Sequence, residues 1–545
     1  MGAPFDWAAR YDSVRTPLFA RNVVATSQPL AAQAGLRMLL QGGNAVDAAI
    51  AAAAALTIVE PVSCGLGSDA FAIVWNGTEL HGLNASGPAP AAWDPAWFRR
   101  RHGDQVPMRG WGSVTVPGAI AGWAALHAKF GRLPFADLLG PAIELGERGF
   151  AVTPIVQRKW AAQAPQLREI PGFAQAFLPR GRVPQVGERF VFVDAARSLR
   201  RIARTNGRDF YEGEIAEAIV AHAKAHAGAM TLADLRGFTP RWSGTISKDY
   251  RGYSLHEIPP NGQGIAALMA LGILSHFDLA SLDPDSADAR HLQIEAMKAA
   301  FADVYRWVGD PASMTEVNAG QLLDDGYLAQ RAARIRLDRA SEFDHGLPPS
   351  GGTIYLSAAD ERGMMVSFIQ SNYMGFGSGV VVPGVGVSLQ NRGYGFTLQT
   401  GHPNCVAPGK LPFHTIIPAF LMKDGRPQMS FGVMGGNMQP QGHVQTLVRM
   451  IDHRQHPQAA CDAPRWKVAR GLSIDVEATM EPEVVAELRR RGHRIEALGD
   501  PYMDFGAGQF VWRLADDARP DDGSAALDGY VAASDGRRDG AAVGY

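Results

Sequence analysis

Apolar positions recur with two different periods along this chain, and the period changes past its middle. Residues 20–60 read as a helix, a turn and a second helix, hinged at Gly42-Gly43-Asn44. The glycines can end the first helix and Asn44 can cap the second. The second helix, residues 45–59, is almost all alanine with Ile50, Leu56, Ile58 and Val59. A helix apolar on every side is buried. Residues 70–75, AFAIVW, predict a short apolar strand. Residues 118–130 and 135–149 predict two amphipathic helices joined at Gly131-Arg132-Leu133-Pro134. Helices are also predicted over 214–227, 231–236 and 289–307, the last stopping at Gly309-Asp310-Pro311.

A polar stretch, DRASEFDHGLPPSGG over 338–352, then interrupts the pattern and is the natural place to divide the chain. Beyond it a period of two takes over. Residues 353–357 alternate as a strand, 360–363 form a turn, and 364–370 return as a second strand. Further strands are predicted at 380–382, 386–389, 416–422 and 428–431. Helices early and strands late predict an α+β, layered α/β body in which both parts of the chain share one core. No internal repeat is present, and only the Gly/Asp/Arg-rich tail is compositionally biased.

Composition narrows the setting. The chain has 545 residues, 46% hydrophobic and 19% charged, which fits a folded protein rather than a disordered one. A net charge of −2 gives no global reason to bind nucleic acid or anionic lipid. Cys64, Cys405 and Cys461 lie far apart, which excludes a disulfide framework and a CxxC zinc site and fits a reducing compartment. Asp6, Arg10, Asp12 and Arg15 interrupt the start of the chain where a signal peptide needs an apolar core. The most apolar run, 48–59, is shorter than the roughly 20 residues of a membrane span. A cytoplasmic protein with no membrane and no nucleic-acid partner is expected.

Several familiar site motifs fail on inspection. Ser378 in Gly377-Ser378-Gly379 is preceded by Phe376, not the start of a G-x-S-x-G elbow. Gly409-Lys410 is followed by Leu411, so there is no Walker loop. Gly65-Leu66-Gly67-Ser68-Asp69-Ala70 follows a helix and enters a strand, the reverse of the dinucleotide-binding order. His222 and His226 are spaced i, i+4 without a third ligand, and His453 with His456 is no stronger. No metal and no organic cofactor is called for.

Thr353 is different. It follows Gly351-Gly352 and begins a strand. If the chain is cut just before it, its own α-amino group becomes the base that activates its hydroxyl. The two glycines tolerate the backbone strain that such a self-cleavage needs. The surrounding motifs are GGNAVDAA (42–49), VPGAIAGW (116–123), PPNGQG (259–264), EAMKAAFAD (295–303) and GDP (309–311). Later come FGSG (376–379), Met434-Gly435-Gly436-Asn437 and ASDGRRDG (533–540). On these, over roughly 22–545, the chain resembles the γ-glutamyltransferase family of N-terminal-nucleophile hydrolases, on the side of its oxamate amidohydrolase and cephalosporin acylase branch. The resemblance implies a four-layer αββα sandwich. It also implies self-cleavage between Gly352 and Thr353 into a large chain, 1–352, and a small chain, 353–545, which together form one body. Whether two such heterodimers pair is left open. By resemblance Thr353 is the nucleophile and Ser371 a supporting hydroxyl. Gly435 and Gly436 supply the oxyanion N–H groups, each worth about 2.7–4 kcal/mol.

The departures from the family concern the substrate. Ser86, in Asn84-Ala85-Ser86-Gly87-Pro88, stands near the family's carboxylate-binding arginine, and Gly395 stands at its ammonium-binding aspartate. His414-Thr415 replaces a serine pair, Tyr373 an asparagine, and Ile354 a second threonine. Arg392, next to Asn391, is a gain whose guanidinium fork suits a carboxylate. Ser86, Tyr373, Asn391, Arg392, His414 and Thr415 are therefore the expected substrate-binding residues. The expected substrate is a small-molecule amide with an anionic acyl group lacking an α-amino group, such as oxamate or a glutaryl amide. Two alternatives stand beside it: a true γ-glutamyl hydrolase or transferase, and an unprocessed, non-catalytic relative.

Overall fold

The computed structural model describes residues 15–343, 353–499, 505–514 and 528–545. Gly351 and Gly352, the expected cleavage site with Thr353, lie outside the described residues on the large-chain side. Strand Ile354–Ala359 explains the architecture in miniature. Ile354, Leu356 and Ala358 point into one apolar cluster, while Tyr355 and Ala359 point into another. A strand apolar on both faces must be covered on both faces. Here helices cover one and a second sheet covers the other.

The sheet that holds this strand has seven antiparallel members. Their order is Ala541–Gly544, Val23–Thr26, Ile354–Ala359, Met365–Ser371, Asp69–Trp75, Leu80–Ala85 and Arg241–Trp242. The facing sheet also has seven. They run Leu18–Ala20, Tyr530–Ser534, Ala507–Arg513, Arg426–Met434, Ala419–Lys423, Tyr253–Glu257 and Ile246–Tyr250. Helices Pro29–Leu40, Ala45–Val59 and Ala119–Phe130 pack on the first sheet; Ile265–Leu274, Met438–Ile451 and Pro457–Asp462 pack on the second. Between the sheets lies a third cluster that includes Phe71, Ile73, Tyr355, Ile369, Phe420 and Val511. This is the αββα sandwich, with strands from both parts of the chain in each sheet.

The alanine-rich helix is buried over all fifteen residues, Ala45–Val59, and Asn44 and Asp47 close a capping box at its start. Helix Ala287–Trp307 also follows the predicted span closely. The strands were less legible. Residues 20–60 do not begin with a helix: Leu18–Ala20 and Val23–Thr26 are strands, and the helix starts at Pro29. A four-residue run, VVAT, buried on both faces carries no alternation to distinguish it from the apolar helix that follows. Predicted 380–382 and 386–389 shrink to a small pair, Val381–Val382 with Val387–Ser388. The biased tail supplies a buried strand, Tyr530–Ser534, and a half-buried edge strand, Ala541–Gly544. No helix among the described residues is long and apolar enough to cross a membrane.

Candidate active site

Strand register assembles the site. Ile354 pairs with Gln370, Ser371 with Asp69, and Ala70 with Ala85. Extending the first and last of these pairings by one residue puts Thr353, Ser371, Asp69 and Ser86 in one row across four neighbouring strands. Side chains alternate along a strand, so these residues share the inner face with Tyr355, Ile369 and Phe71. Neighbouring strands lie about 4.8 Å apart, so Ser86 is roughly 14 Å from Thr353 along the row.

The facing sheet brings the glycines to the same end. Ser357 Oγ donates to the Ser430 carbonyl at 3.0 Å. Two residues on, a Cβ at Gly432 would lie 2.5 Å from the Tyr355 ring. Two further steps along the crossing carry Tyr355 back to Thr353 and Gly432 on to Met434, which precedes Gly435. Gly435 (φ 123°) and Gly436 (φ 60°) take backbone conformations that L side chains disfavour. A Cβ at Gly435 would also come within 2.9 Å of Gly506. Neither amide N–H donates to a backbone carbonyl among the described residues, so both suit an oxyanion.

At the row's start, Thr353 is 1% exposed and its Oγ1 lies 3.2 Å from Ser371 Oγ. The Tyr373 N–H donates to Ser371 Oγ at 2.7 Å. Tyr373 is held at φ 78°, a conformation costing about 1–3 kcal/mol for a non-glycine residue. Its ring carries the Arg392 guanidinium at 4.5 Å. Burial pushes the Tyr373 phenol up to about 12, with Arg392 opposing.

Arg392 is 1% exposed. Its Nη1 donates to Thr415 Oγ1 at 2.7 Å, and its backbone N–H donates to Gln390 Oε1 at 2.6 Å. Nε and Nη2 have no hydrogen-bond partner among the described residues. Burial lowers this guanidinium to about 10, and Asp69 and Tyr373 pull it back up. It stays charged at neutral pH, with two buried donors unused.

The remaining predicted residues are supports. His414 Nε2 meets Asp69 Oδ2 at 3.1 Å, its ring stands edge-on to Phe71, and its Nδ1 accepts from the Ile416 N–H at 3.4 Å. Burial and Arg392 hold it well below the ordinary histidine range, so it is neutral with both ring nitrogens engaged. Asn391 braces a turn, accepting from the Met374 N–H and donating to the Met108 carbonyl. Ser86 bonds Asn84 Oδ1 at 2.7 Å and accepts from Asn261 at 3.3 Å, away from the nucleophile.

Two residues escaped the sequence reading. Asp69 accepts from the Gly87 and Gly118 N–H groups and from His414, and burial raises its carboxyl to about 7. It sits in the segment discarded as a failed dinucleotide loop; an acid at the first position of an apolar strand was the available signal. Gln263 belongs to PPNGQG, where no pattern distinguishes a buried amide from a turn residue. At the pair His222–His226, His222 Nδ1 accepts from Trp111 Nε1 at 3.2 Å.

The gamma-glutamyltranspeptidase family matches residues 31–545. The chain is 36% identical to the glutathione hydrolase-like YwrD proenzyme of Bacillus subtilis, over 96% of this chain and 98% of that one. It is 37% identical to the oxamate amidohydrolase proenzyme of Klebsiella pneumoniae, over 95% and 97%. The solved cephalosporin acylase of Bacillus halodurans superposes with a TM-score of 0.93 at 45% identity, over 100% of this chain and 99% of that one. The chain therefore belongs to the gamma-glutamyltranspeptidase family and is an enzyme of its N-terminal-nucleophile hydrolase or acyltransferase kind.

Proposed function

We propose that this enzyme is a self-processing amidohydrolase whose substrates carry an anionic acyl group without an α-amino group. Cleavage between Gly352 and Thr353 frees the threonine amine and leaves chains 1–352 and 353–545. The amine takes the Oγ1 proton as that oxygen attacks the substrate carbonyl. Ser371, 3.2 Å away, orients the hydroxyl. The Gly435 and Gly436 N–H groups receive the developing negative charge. Collapse breaks the C–N bond, the protonated amine hands its proton to the leaving nitrogen, and an acyl-Thr353 ester remains. Water, deprotonated by the same amine, attacks the ester; the acid leaves and Thr353 regains its proton.

One observation carries the substrate class: Arg392 is buried, charged and has two unused donors beside the Tyr373 ring. Burying a cation without a full partner set is costly, and a substrate carboxylate supplies the missing partner. The oxamate amidohydrolase relative supports this reading, since oxamate pairs an amide with a carboxylate. The test compares Arg392→Ala with the parent enzyme on glutaryl-p-nitroanilide and on neutral butyryl-p-nitroanilide. A loss of about 10- to 100-fold in kcat/KM confined to the glutaryl amide is expected. Equal effects on both would refute the assignment.

The YwrD relative favours a second reading, γ-glutamyl hydrolysis. That substrate brings an α-ammonium, which needs an acid. Asp69 is the acid nearest to hand, yet its oxygens already accept from Gly87, Gly118 and His414. Rapid turnover of γ-glutamyl-p-nitroanilide over glutaryl-p-nitroanilide would select this second reading.

A further inference from the structure

Gln263 stands in the large-chain segment, and all three of its donor hydrogens go to the small-chain segment. Its backbone N–H donates to the His414 carbonyl at 2.9 Å. Its Nε2 donates to the Thr415 carbonyl at 2.6 Å and to the Gly436 carbonyl at 2.9 Å. The residue is fully buried. Two carbonyls converging on one side-chain atom fix which end of the amide is nitrogen, because oxygen there would face two acceptors. Its Oε1 is left buried without a partner among the described residues. Such an unmatched acceptor is disfavoured, so the arrangement is held by what the nitrogen does.

What the nitrogen joins is specific. Thr415 carries, on its side chain, the hydroxyl that holds Arg392. Gly436 carries one of the two amides assigned above to the oxyanion. The neighbours of Gln263 stiffen the same clamp. Asn261 Nδ2 donates to the Pro412 carbonyl at 2.7 Å, and the Asn261 carbonyl accepts from the His414 N–H at 2.9 Å. A parallel bridge links Gly262 with His414. One carboxamide thus spans the acyl-binding wall and the charge-stabilising turn, which lie in separate stretches of the chain.

We propose that Gln263 is a positioning residue that locks the oxyanion turn to the Arg392–Thr415 wall. A substrate carboxylate seated on Arg392 and a carbonyl oxygen seated on Gly436 are then held at a fixed separation. The Arg392 half of this statement rests on the anionic-acyl reading above; the Gly436 half does not. Gln263 touches no reacting atom. It acts through the two carbonyls it holds.

The test uses the processed enzyme with Gln263→Met, which keeps the length of the side chain and removes both side-chain N–H donors. Active-site titration normalises each preparation. On butyryl-p-nitroanilide, which makes no use of Arg392, kcat should fall about tenfold or more with KM within about twofold, because an unfixed oxyanion donor weakens only the transition state. On glutaryl-p-nitroanilide, the same fall in kcat should be joined by a KM increase of about threefold or more. Gln263→Glu, whose protonated form keeps one O–H donor, should recover part of the lost kcat, and it carries the same comparison should the methionine variant not mature. A kcat within about twofold of the parent on the neutral amide overturns the proposal, as does a loss fully explained by a lower active-site titre. If Arg392→Ala proves unselective while Gln263→Met still lowers kcat on the neutral amide, the anionic-acyl reading fails and the hold on the oxyanion turn survives.

Discussion

The nucleophile row and the acyl wall meet at Tyr373 but are built by different means. Thr353 and Ser371 are placed by strand register on a sheet covered on both faces. Arg392, Thr415 and His414 are placed by irregular backbone: a short 3-10 turn, Arg392–Gly395, and the approach to strand Ala419–Lys423. Register is all-or-none, since a slip of one residue turns every side chain to the other face. Loop positions can be replaced one at a time. Under the proposed function, reaction chemistry sits where the fold cannot drift, and substrate choice sits mainly where substitution is tolerated. Of the departures from the family, those at 373, 392, 395, 414 and 415 fall in or beside the second region, while Ile354 and Ser86 lie on or next to the strands of the first.

Breaking the first region should have the largest effects. Thr353→Ala removes the nucleophile and should abolish both chain cleavage and amide turnover, by about 10⁴-fold or more on any acyl group; a denaturing gel and a chromogenic assay check both. Gly436→Ala forces a Cβ onto a backbone at φ 60° and tilts one oxyanion donor. A fall of about 10²–10³ in kcat is expected, again whatever the acyl group. Ser371→Ala leaves the Thr353 hydroxyl unoriented and the Tyr373 N–H without its acceptor. Its kcat should drop by about tenfold with little selectivity, and a strongly acyl-dependent loss would blur the boundary between the two regions.

The second region sharpens the contrast through pH. Asp69 lies close enough to Arg392 for each to shift the other, and it titrates near 7. Below that pH it is neutral, and above it carries a negative charge that opposes a substrate carboxylate at Arg392. His414, the other titratable partner of Asp69, is neutral on both sides. The KM for glutaryl-p-nitroanilide should thus rise about threefold from pH 6 to pH 8, while that for butyryl-p-nitroanilide stays level. Asp69→Asn should flatten the first curve; a rise that persists in the variant would place its origin elsewhere.

The same contrast explains what the sequence made legible. Period-two alternation and the Gly-Gly-Thr junction singled out Thr353 at a strand start, and the motifs around it carried the sandwich and singled out Gly435-Gly436, which the structure holds at positive φ. Arg392 could be singled out as a gained charge, but its two unused donors depend on contacts with residues 373 and 415 that no spacing encodes. His414 and Asn391 are polar residues at plausible positions whose hydrogen-bonding groups turn out to be occupied. Asp69 and Gln263 were hidden because their partners come from other stretches of the chain: Gly87, Gly118 and His414 for Asp69, and His414, Thr415 and Gly436 for Gln263. The short strands were hidden for another reason: Val23–Thr26 is buried throughout and shows no alternation, and Leu18–Ala20 is too short to show a period.

All of the proposed chemistry requires Thr353 to become a chain terminus. Amino-terminal sequencing of the purified, active enzyme addresses this directly. The account predicts a chain that begins Thr-Ile-Tyr-Leu-Ser in stoichiometric amount with a larger one that ends at Gly352. Full activity in a preparation holding only the uncut 545-residue chain would contradict it.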